Sequence, residues 1–509
     1  MIDKYLENNV QKKINLFSIL NIKQIIDIHE LKDDSNLSTF SINSLIEELK
    51  YDIQGLAEIV YTQSTIELMY YEGITSFDIF HAIYATSSTL KCIKFLITND
   101  AHTPFTVFVD DNFLTTSNGY RIRQSSLNYL RSIGLDVKNN MVVGDEYRIR
   151  FLIGLLYYKY GVDCCNIDSE SIDLARKFVL ATNDKINYQF LESTTDEYGY
   201  FECLLTLLWK RKGYHLTFPK YSEMERLKTL FIYRDITHYL RTVVEPQLDF
   251  KLSQKDLDYV FLIYWCANNC VLTGKWSEND NHILNTIIFN DLKFQDLMNK
   301  FEHKFKIPLK NSSAFKSVLV VFYKKCILNL QCIIPDNHYY FETKKETISS
   351  HIVSSISDIL NDWVKDNHIL YPISQEHTDY LSVQLSVILR QFMDPIKIVL
   401  ISDIDAEIAI LKLFFLRNYP FQRIQIIECP INNAHLDFLS SLDDSIVIVK
   451  KVFENVIESY DIKNTNVVLP ISMELNTLDR KNISNAVIDC EKEVFRKNIL
   501  KISTKKTVM

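Results

Sequence analysis

Glycine and proline are scarce in this sequence, with only 10 of each among 509 residues. Average proteins contain about 7% glycine and about 5% proline. Sheet-rich folds need glycine for tight turns, and phosphate-binding loops need it where the backbone approaches a ligand. None of the glycine motifs of nucleotide-binding loops or serine hydrolases occurs. The sequence therefore predicts a mainly α-helical protein that is not an enzyme and has no catalytic residues.

Long apolar runs and paired cysteines are also lacking. No stretch approaches the roughly 20 apolar residues that span a bilayer, and the charged N-terminus does not resemble a signal peptide. The ten cysteines are scattered without a CxxC pair, so they are expected to pack as small apolar residues rather than to bind metal. We therefore expect a cytoplasmic protein with no membrane partner, no cofactor and no metal site.

The charge balance is mildly acidic, with 56 Lys and Arg against 64 Asp and Glu and a net charge of −8. This balance excludes a uniformly basic coat for nucleic acid. It leaves room for a local basic face, which is what a sequence-specific reader of DNA needs.

One order of predicted elements occurs twice near the N-terminus. It consists of a helix, a short helix, a turn, a capped helix and a hairpin, which is the order of a winged helix-turn-helix. The first copy is predicted from a helix over residues 2–20, a helix over 26–31, a turn over 33–36, a helix from Ser38 or Thr39, and a hairpin over 59–71. The second copy is predicted from a helix over 77–97, a helix over 105–112, a helix over 118–130, a C-cap at Gly134, and a hairpin over 135–143.

The second copy contains the strongest candidate for a DNA-reading helix. Its segment 117–138 carries four cations against the single carboxylate of Asp136. Arginine, asparagine and glutamine pair with base edges, and further cations and hydroxyls contact phosphates. An ordinary solvated helix face is the alternative. The candidate DNA-binding residues are Ser117, Asn118, Tyr120, Arg121, Arg123, Gln124, Ser125, Asn128, Arg131 and Lys138.

The first copy offers a weaker candidate. Ser41, Asn43 and Ser44 could contact DNA, but Glu47 and Glu48 follow them and would repel phosphates. The first copy is therefore either a weaker reader or a packing partner, and the residues alone leave both readings open.

The rest of the chain divides into a helical middle and a C-terminal part with strands. Residues 150–390 have helical patterning, with a loose internal echo that suggests two tandem modules. From residue 396, β-branched runs alternate with a helix, which predicts a small parallel α/β domain. The tail over 491–509 is basic. Within the helical middle, His215 follows Lys-Arg-Lys-Gly-Tyr, so it is either a carrier of a phosphoryl group or an unmodified surface histidine.

Several segments resemble one family of regulators. Residues 144–150 read Gly-Asp-Glu-Tyr-Arg-Ile-Arg, and residues 151–161 read Phe-Leu-Ile-Gly-Leu-Leu-Tyr-Tyr-Lys-Tyr-Gly. Both resemble the segment that follows the second helix-turn-helix in Mga-type virulence regulators of Gram-positive cocci. Residues 256–269, 328–335 and 4–7 are similar to the RofA-like branch of that family, so the resemblance covers nearly the whole chain.

The resemblance implies a domain order and a function. It implies winged helix-turn-helix domains over 1–73 and 74–148, domains resembling phosphotransferase-system regulation domains (PRDs) over 149–280 and 281–394, and an α/β domain similar to a phosphotransferase IIB subunit over 395–509. It also implies a homodimer held mainly by the C-terminal half, which binds double-stranded promoter DNA and regulates surface adhesin, pilus and virulence genes. A phosphotransferase-system phosphocarrier protein is an implied partner.

The resemblance further implies a DNA-reading helix over residues 118–130 and a phosphohistidine at or near His215. Two departures qualify it. Cys332 stands where a histidine is expected, and the first loop of the IIB-like domain lacks a cysteine. Two alternatives remain, a protein-interaction scaffold without DNA binding and an RNA-binding antiterminator. The basic helix favours DNA over RNA, because A-form RNA has a major groove that is too narrow for a helix.

Overall fold

Helix makes up 64% of the structure, which confirms the mainly helical prediction. The computed structural model describes residues 2–35, 37–62, 64–99, 103–219, 222–335, 350–420, 423–431, 436–458, 460, 462–472 and 474–504. The chain forms two units, which are described separately. The first contains residues 1–299, 316–347 and 357–381, and the second contains 300–315, 348–356 and 382–509.

The N-terminal part repeats the order of helix, short helix, turn, helix and hairpin. The first copy consists of a 3₁₀ helix Ile2–Tyr5, α1 Asn8–Lys23, β1 Ile25–Asp27, α2 Ile28–Ser35, α3 Thr39–Asp52, β2 Ala57–Tyr61 and β3 Thr65–Tyr70. The second copy consists of α4 Ser76–Ala85, α5 Ser88–Thr98, α6 Phe105–Asp111, α7 Thr116–Ser132, β4 Asp136–Lys138 and β5 Met141–Val143.

Three of the predicted helices were wrong in extent. The helix predicted over 26–31 instead begins as strand β1, because Ile25 and Ile26 pair antiparallel with β3. The helix predicted over 77–97 is interrupted at Ser87, whose Oγ accepts the Leu90 N–H and caps the start of α5. In both places a tertiary or capping contact overrides a periodic apolar pattern. The helix predicted over 2–20 is divided into a 3₁₀ helix, Ile2–Tyr5, and α1, Asn8–Lys23. The turn predicted over 33–35 is wrong, because α2 continues to Ser35, and Asn36 lies outside the described residues.

The predicted turn chemistry of the second copy is confirmed. β4 and β5 pair antiparallel around Asn139 and Asn140, both of which have positive φ angles, 50° and 57°. A two-residue hairpin of this kind needs left-handed backbone at both positions, and asparagine tolerates it best after glycine. Gly134 has a φ of 80° and follows the C-terminus of α7, as predicted for a helix end.

The middle of the chain is helical throughout its described part. The helices are α8 Glu146–Tyr160, α9 Ser169–Thr182, α10 Tyr188–Ser193, α11 Thr195–Lys210, α12 Ser222–Leu227, α13 Phe231–Tyr239, α14 Gln254–Cys266, α15 Glu278–Phe289, α16 Leu292–Phe305, α17 Ser313–Lys324, α18 Ser350–Asp366 and α19 Gln375–Arg390. A π-helical turn covers Leu240–Val244, and short 3₁₀ turns cover Glu245–Gln247, Leu309–Asn311 and Ile327–Asn329. Helix α8 is buried over almost its whole length, so it forms the core of the first unit.

The C-terminal elements confirm a small parallel sheet. They are β6 Ile396–Ser402, α20 Asp405–Asn418, β7 Ile424–Pro430, β8 Ser445–Lys450, α21 Glu454–Glu458, β9 Val467–Ile471 and α22 Thr477–Thr504, with 3₁₀ turns Leu436–Ser441 and Lys451–Phe453. The strand order is β7-β6-β8-β9, and every pairing is parallel. Strand β9 was not predicted, because it is short and contains Pro470, which is confined to sheet edges. Residues 505–509 of the basic tail lie outside the described part.

Candidate nucleic-acid interface and regulatory site

Helix α7 is fixed at its start and along its inner face. The Thr115 Oγ1 accepts the backbone N–H of Asn118 at 3.3 Å and caps the helix. Gly119 then allows α7 to pack closely on α6, since a Cβ there would lie 2.6 Å from a methyl carbon of Val109. Ile122 and Leu130 are buried on the same inner face. The buried residues thus fix the orientation of α7, and its opposite face is exposed to solvent.

The outer face of α7 is a polar and basic stripe. Its five positions follow one another at spacings of four and three residues and are all exposed, which places them in one row along the helix. These positions, called the α7 stripe below, are Ser117, Arg121, Gln124, Asn128 and Arg131. Helix α7 contains three arginines and no carboxylate, so its own field is positive.

The α7 stripe contacts solvent and its own neighbours. Arg121 Nη2 donates to Asn118 Oδ1 at 3.0 Å, and Gln124 Nε2 donates to Asn128 Oδ1 at 2.9 Å. These bonds are exposed, so a base edge or phosphate could replace the internal partner without leaving a buried group unpaired. The polar side chains are therefore exposed on the surface and do not take part in packing.

Five of the predicted contact residues do not lie on the α7 stripe, and two of these, Arg123 and Ser125, contact other parts of the protein. The Arg123 guanidinium donates to Asn140 Oδ1 at 3.2 Å and lies 5.4 Å from the Phe105 ring centre. The Ser125 Oγ donates to the Tyr5 carbonyl at 2.9 Å and is partly buried. Arg123 therefore joins α7 to the β4–β5 turn, and Ser125 joins it to the N-terminal 3₁₀ helix. Both had been predicted to contact DNA.

The other predicted residues of the second copy are Asn118, Tyr120 and Lys138, which lie off the stripe, and Arg131, which is its last position. Tyr120 is 52% exposed. Lys138 is exposed at the end of β4, beside the hairpin turn. Arg131 forms a surface ion pair with Asp136 at 3.2 Å, in which both side chains are more than half exposed. Such a pair contributes roughly 0–1 kcal/mol, so it does not commit Arg131 to the fold.

The corresponding helix of the first copy, α3, has a different surface. When α3 and α7 are aligned on their N-caps, Ser38 and Thr115, the stripe positions of α3 are Phe40, Ser44, Glu47 and Tyr51. Phe40 and Tyr51 are 85% and 80% exposed. Helix α3 carries Glu47, Glu48 and Asp52 against the single cation of Lys50.

The predicted contacts of the first copy are only partly available. The Ser41 Oγ lies 2.9 Å from the Ser38 Oγ within the cap, and Asn43 Oδ1 accepts the Tyr61 hydroxyl at 2.8 Å. Ser44 is exposed. Burial raises the pKa of Tyr61, and the nearby Glu47 carboxylate raises it further. The surface around these residues is therefore acidic and aromatic.

His215 lies in an open cleft that faces the start of α14. The cleft has a volume of about 600 Å³ and includes Lys212, Lys251 and Lys255. The Lys255 Nζ is 3.1 Å from the His215 Nε2, so the ammonium donates to that nitrogen when the imidazole is neutral. The backbone N–H groups of Gln254 and Lys255 have no acceptor within the helix, which favours an anion at this end of α14. The Ser253 hydroxyl accepts the N–H of Asp256, and the Asp256 carboxylate, which accepts the Ser253 N–H and also lines the cleft, opposes an anion there.

The three cations that precede His215 in the sequence point to different places in the structure. Lys210 pairs with Asp168, and the buried Arg211 pairs with Glu146 and stacks on Tyr214. Only Lys212 of that cluster lines the cleft, where it pairs with Asp249. Sequence reasoning missed Lys251 and Lys255, because they are distant in the chain and no local pattern links them to His215.

Cys332 is buried and contacts Arg148 instead of solvent. Burial raises the pKa of the Cys332 thiol to about 11, so the residue stays protonated. Arg148 Nη2 lies 3.5 Å from the Cys332 Sγ, and its guanidinium also donates to the carbonyls of Leu328 and Asn329 at 3.1 Å each. Leu328 and Asn329 are both in the left-handed region, with φ angles of 53° and 56°.

Arg148 also contacts the end of the candidate DNA-reading helix. Its Nε and Nη2 donate to the Ile133 carbonyl at 3.0 and 2.8 Å, and its guanidinium lies 4.5 Å from the Tyr371 ring centre. Arg148 is only 3% exposed. One buried guanidinium therefore joins the C-terminus of α7 to the turn over residues 328–332.

A second buried cluster joins the N-terminal 3₁₀ helix to α8 and α19. The Lys159 ammonium donates to Asp3 at 3.1 Å and to Glu376 at 2.7 Å, and the Tyr160 hydroxyl donates to Asp3 at 2.9 Å. Burial raises the pKa of the Asp3 carboxyl, but the Lys159 ammonium outweighs burial and holds that pKa well below its usual value. The 3₁₀ helix that receives Ser125 is thus anchored to the helical middle.

In the second unit, side chains of the protein itself fill the carboxyl end of the central strand β6. The Lys450 ammonium lies 3.1 Å from Glu407 and 3.4 Å from Asp403, and the Ser402 hydroxyl donates to Glu407. Ligands of open parallel sheets bind at this end of the strands. Carboxylates in that place would repel a phosphoryl group.

Comparison with protein families identifies two regions. A family model described as the Mga helix-turn-helix domain matches residues 73–157. A second, described as the M protein trans-acting positive regulator (MGA) PRD domain, matches residues 176–386. No curated protein matches the chain. Within the described part of the chain, no helix has both the length and the apolar character required to cross a membrane.

Proposed function

The chain belongs to the Mga family of DNA-binding transcription regulators, and from that premise we propose that it recognises promoter DNA mainly through α7. We further propose that it belongs to the RofA-like branch and controls genes for surface adhesins, pili and virulence. In this proposal residues 1–73 and 74–148 are two winged helix-turn-helix domains, and the protein regulates transcription without catalysing a reaction.

The observation that carries this proposal is the α7 stripe. Arginine pairs bidentately with guanine, and asparagine and glutamine pair with adenine in the major groove, which has room for a helix. Arg121, Gln124 and Asn128 offer these groups in one exposed row, on a helix that contains no carboxylate. Lys138 on the hairpin and Arg131 at the helix end are suited to flanking phosphates.

The test is a selection of double-stranded DNA from a random library by the full-length protein. A common sequence should be enriched, and Arg121→Ala should weaken binding to it. The same protein is then offered RNA hairpins of random sequence. No enriched DNA would favour the scaffold alternative, and enriched RNA in place of DNA would favour the antiterminator alternative. Either result would contradict the proposal.

We propose that His215 is the site at which a phosphotransferase-system phosphocarrier protein tunes activity. A phosphoryl group on Nε2 would meet the Lys255 ammonium and the backbone N–H groups of Gln254 and Lys255, which precede the capped Asp256 N–H in α14. Incubation with the phosphorylated carrier should label the wild type but not His215→Ala. His215→Asp and His215→Ala should change reporter output in opposite directions. Equal labelling of wild type and His215→Ala would contradict this assignment.

A homodimer held through the C-terminal half is proposed from the surface of α20. Ile410, Leu413 and Leu416 are 56%, 67% and 50% exposed, whereas Leu411 and Phe415 are buried in the domain core. An exposed apolar row on a helix is typical of an interaction surface, and two-fold symmetry would present two reading helices to one DNA site. Leu413→Glu in the full chain should shift sedimentation toward monomer. An unchanged dimer would place the interface elsewhere.

We propose that the C-terminal domain resembles a IIB subunit in fold but does not transfer phosphate. Support comes from the parallel strand order β7-β6-β8-β9 and from the loop after β6, where Asp403 and Glu407 face Lys450. The domain should therefore bind or dimerise. Phosphorylation of the His215→Ala variant within residues 395–509 would contradict this role.

A further inference from the structure

A small cleft lies among α11, α14, α17 and α19 in the first unit. Its volume is about 240 Å³, and its walls include Tyr200, Trp265, Asn268, Lys324 and Tyr380. No Asp or Glu occurs among the described residues that line it. Two lysines, Lys324 and Lys325, line the cleft, so its charge is positive.

Lys324 lies in this cleft without an anionic partner. Among the described residues it forms no side-chain hydrogen bond and no ion pair, and its Nζ is 4.7 Å from the centre of the Trp265 ring. Burial lowers the pKa of the Lys324 amine to about 8. Lys324 is half-buried, and a charge withdrawn from water normally has a partner, because removal from water is costly. Within the cleft, the titratable groups beside it are the Cys266 thiol, the Lys325 amine and the tyrosines Tyr200, Tyr264 and Tyr380, and none of them supplies a negative charge at neutral pH. Asp291 and Tyr323 line a second, smaller cavity with Lys324, but the Asp291 carboxylate accepts the backbone N–H groups of Lys293 and Phe294 and forms no ion pair with Lys324.

Trp265 provides a second group without an acceptor. The residue is 3% exposed, and its indole Nε1–H is buried without a hydrogen-bond acceptor among the described residues. The ring is fixed edge-on between Phe261 and Trp276, with centre distances of 5.8 and 6.3 Å. Buried indole N–H groups usually have a partner. An ammonium and an N–H donor on adjacent side chains of one cleft, both lacking acceptors, form a site for oxygen anions.

We propose that this cleft binds a small organic oxyanion, a phosphate monoester or a carboxylate, with Lys324 as its counter-charge. The Trp265 N–H is the second donor, and the tyrosine walls cover the carbon skeleton. The volume is below the roughly 300–1,000 Å³ typical of sites for drug-sized ligands, so the ligand is small. This site goes beyond the proposed phosphorylation, because it lies apart from His215 and needs no donor protein.

The cleft is connected to the candidate DNA-reading helix. Ile334 and Pro335 line the cleft, and they directly follow the turn that Arg148 holds through Leu328, Asn329 and Cys332. Arg148 in turn holds Ile133, which follows α7. A ligand that shifts residues 334–335 would therefore move the turn over residues 328–332 that Arg148 contacts, and through Arg148 it would act on Ile133 at the end of α7. By linkage, an anion that changes DNA affinity must bind with a correspondingly changed affinity in the presence of DNA.

The test measures chemical modification of Lys324 in the full-length protein by an amine-selective reagent, followed by peptide mass spectrometry from pH 6 to 10. Modification should rise with a midpoint near pH 8, well below the ordinary lysine value. Inorganic phosphate, glycerol 3-phosphate and acetate serve as probes. At least one probe should slow modification several-fold and raise the midpoint, because a bound anion stabilises the ammonium. Protection by glycerol 3-phosphate or by acetate distinguishes the two ligand classes.

Matched variants separate binding from folding. Lys324→Met should abolish the thermal stabilisation that the protecting probe gives to the wild type. Trp265→Phe keeps an aromatic ring but removes the N–H, so it should reduce protection of Lys324. Lys316→Met on the same helix, away from the cleft, should behave as wild type. A midpoint near pH 10.5, no protection by any probe, or equal loss in Lys316→Met would overturn the proposal. Because none of these measurements involves DNA, failure of the proposed DNA binding would not affect them.

Discussion

The two N-terminal copies have the same order of helices and strands, but the exposed faces of their matched helices differ in charge. Helices α3 and α7 both begin with a hydroxyl cap, and both bury apolar residues at matching positions, such as Leu45 and Ile122. Their exposed stripes differ in every matched pair, with Ser44 in place of Arg121 and Glu47 in place of Gln124. The buried positions therefore maintain the shared order of helices, whereas the exposed row decides what each helix contacts.

The difference in charge favours separate roles for the two copies. DNA presents closely spaced phosphates, so the carboxylates on α3 weaken any approach to it, and the arginines on α7 strengthen it. The exposed Phe40 and Tyr51 of α3 are side chains of the kind that contact proteins. We therefore expect α7 to read DNA and α3 to contribute little to affinity.

We expect the largest change in DNA affinity for the matched pair Arg121 and Ser44. Loss of a base-reading arginine costs about 1–3 kcal/mol and relaxes sequence preference at one position. Arg121→Ala should therefore weaken binding to the selected DNA by about 10- to 100-fold. Ser44→Ala is the control and should leave affinity within about twofold, since a lone exposed hydroxyl contributes little. Equal losses of affinity in the two variants would contradict the separate roles of α7 and α3.

An exchange of the second matched pair should have a smaller effect. Gln124→Glu gives α7 the carboxylate that α3 carries, and it should lower DNA affinity by roughly 1 kcal/mol through repulsion of phosphate in a solvated groove. Glu47→Gln on α3 should change affinity little. Fluorescence anisotropy at two salt concentrations measures both, and the loss in Gln124→Glu should shrink at high salt. A gain in Glu47→Gln as large as the loss in Gln124→Glu would show that both helices meet DNA.

The smallest expected effect belongs to Arg123, which lies off the α7 stripe. Arg123→Ala should weaken binding only a few-fold and uniformly across sequences, because the residue positions the β4–β5 turn through Asn140. Asn140→Asp keeps an acceptor for Arg123 and should largely preserve affinity. If Arg123→Ala instead changes the preferred base at one position, Arg123 reads DNA directly and the assignment to a positioning role is wrong.

The sequence predicted the framework well and the directions of side chains less well. Apolar spacing and the Thr115 cap predicted α7, and two asparagines predicted its hairpin turn. These signals are local. Arg123 was misplaced because its partners, Phe105 and Asn140, are brought to it only by folding.

The same limit applies to the regulatory site. The cations that precede His215 in the sequence identified it as a candidate site. In the structure, most of these cations pair with carboxylates elsewhere, and the cation beside His215 is Lys255 of α14. Cys332 also gave no sign in the sequence that it packs against Arg148. Contacts between distant segments depend on tertiary packing, which periodicity and spacing do not report.

The most direct test of the central claim is photocrosslinking from matched positions of the two helices. A benzophenone amino acid is placed at Gln124 in one full-length variant and at Glu47 in another, and each is irradiated with the selected DNA. We predict a strong crosslink from position 124, lost with competing unlabelled DNA, and little or none from position 47. Crosslinking from position 47 that equals or exceeds that from position 124 would contradict the assignment of α7 as the reading helix.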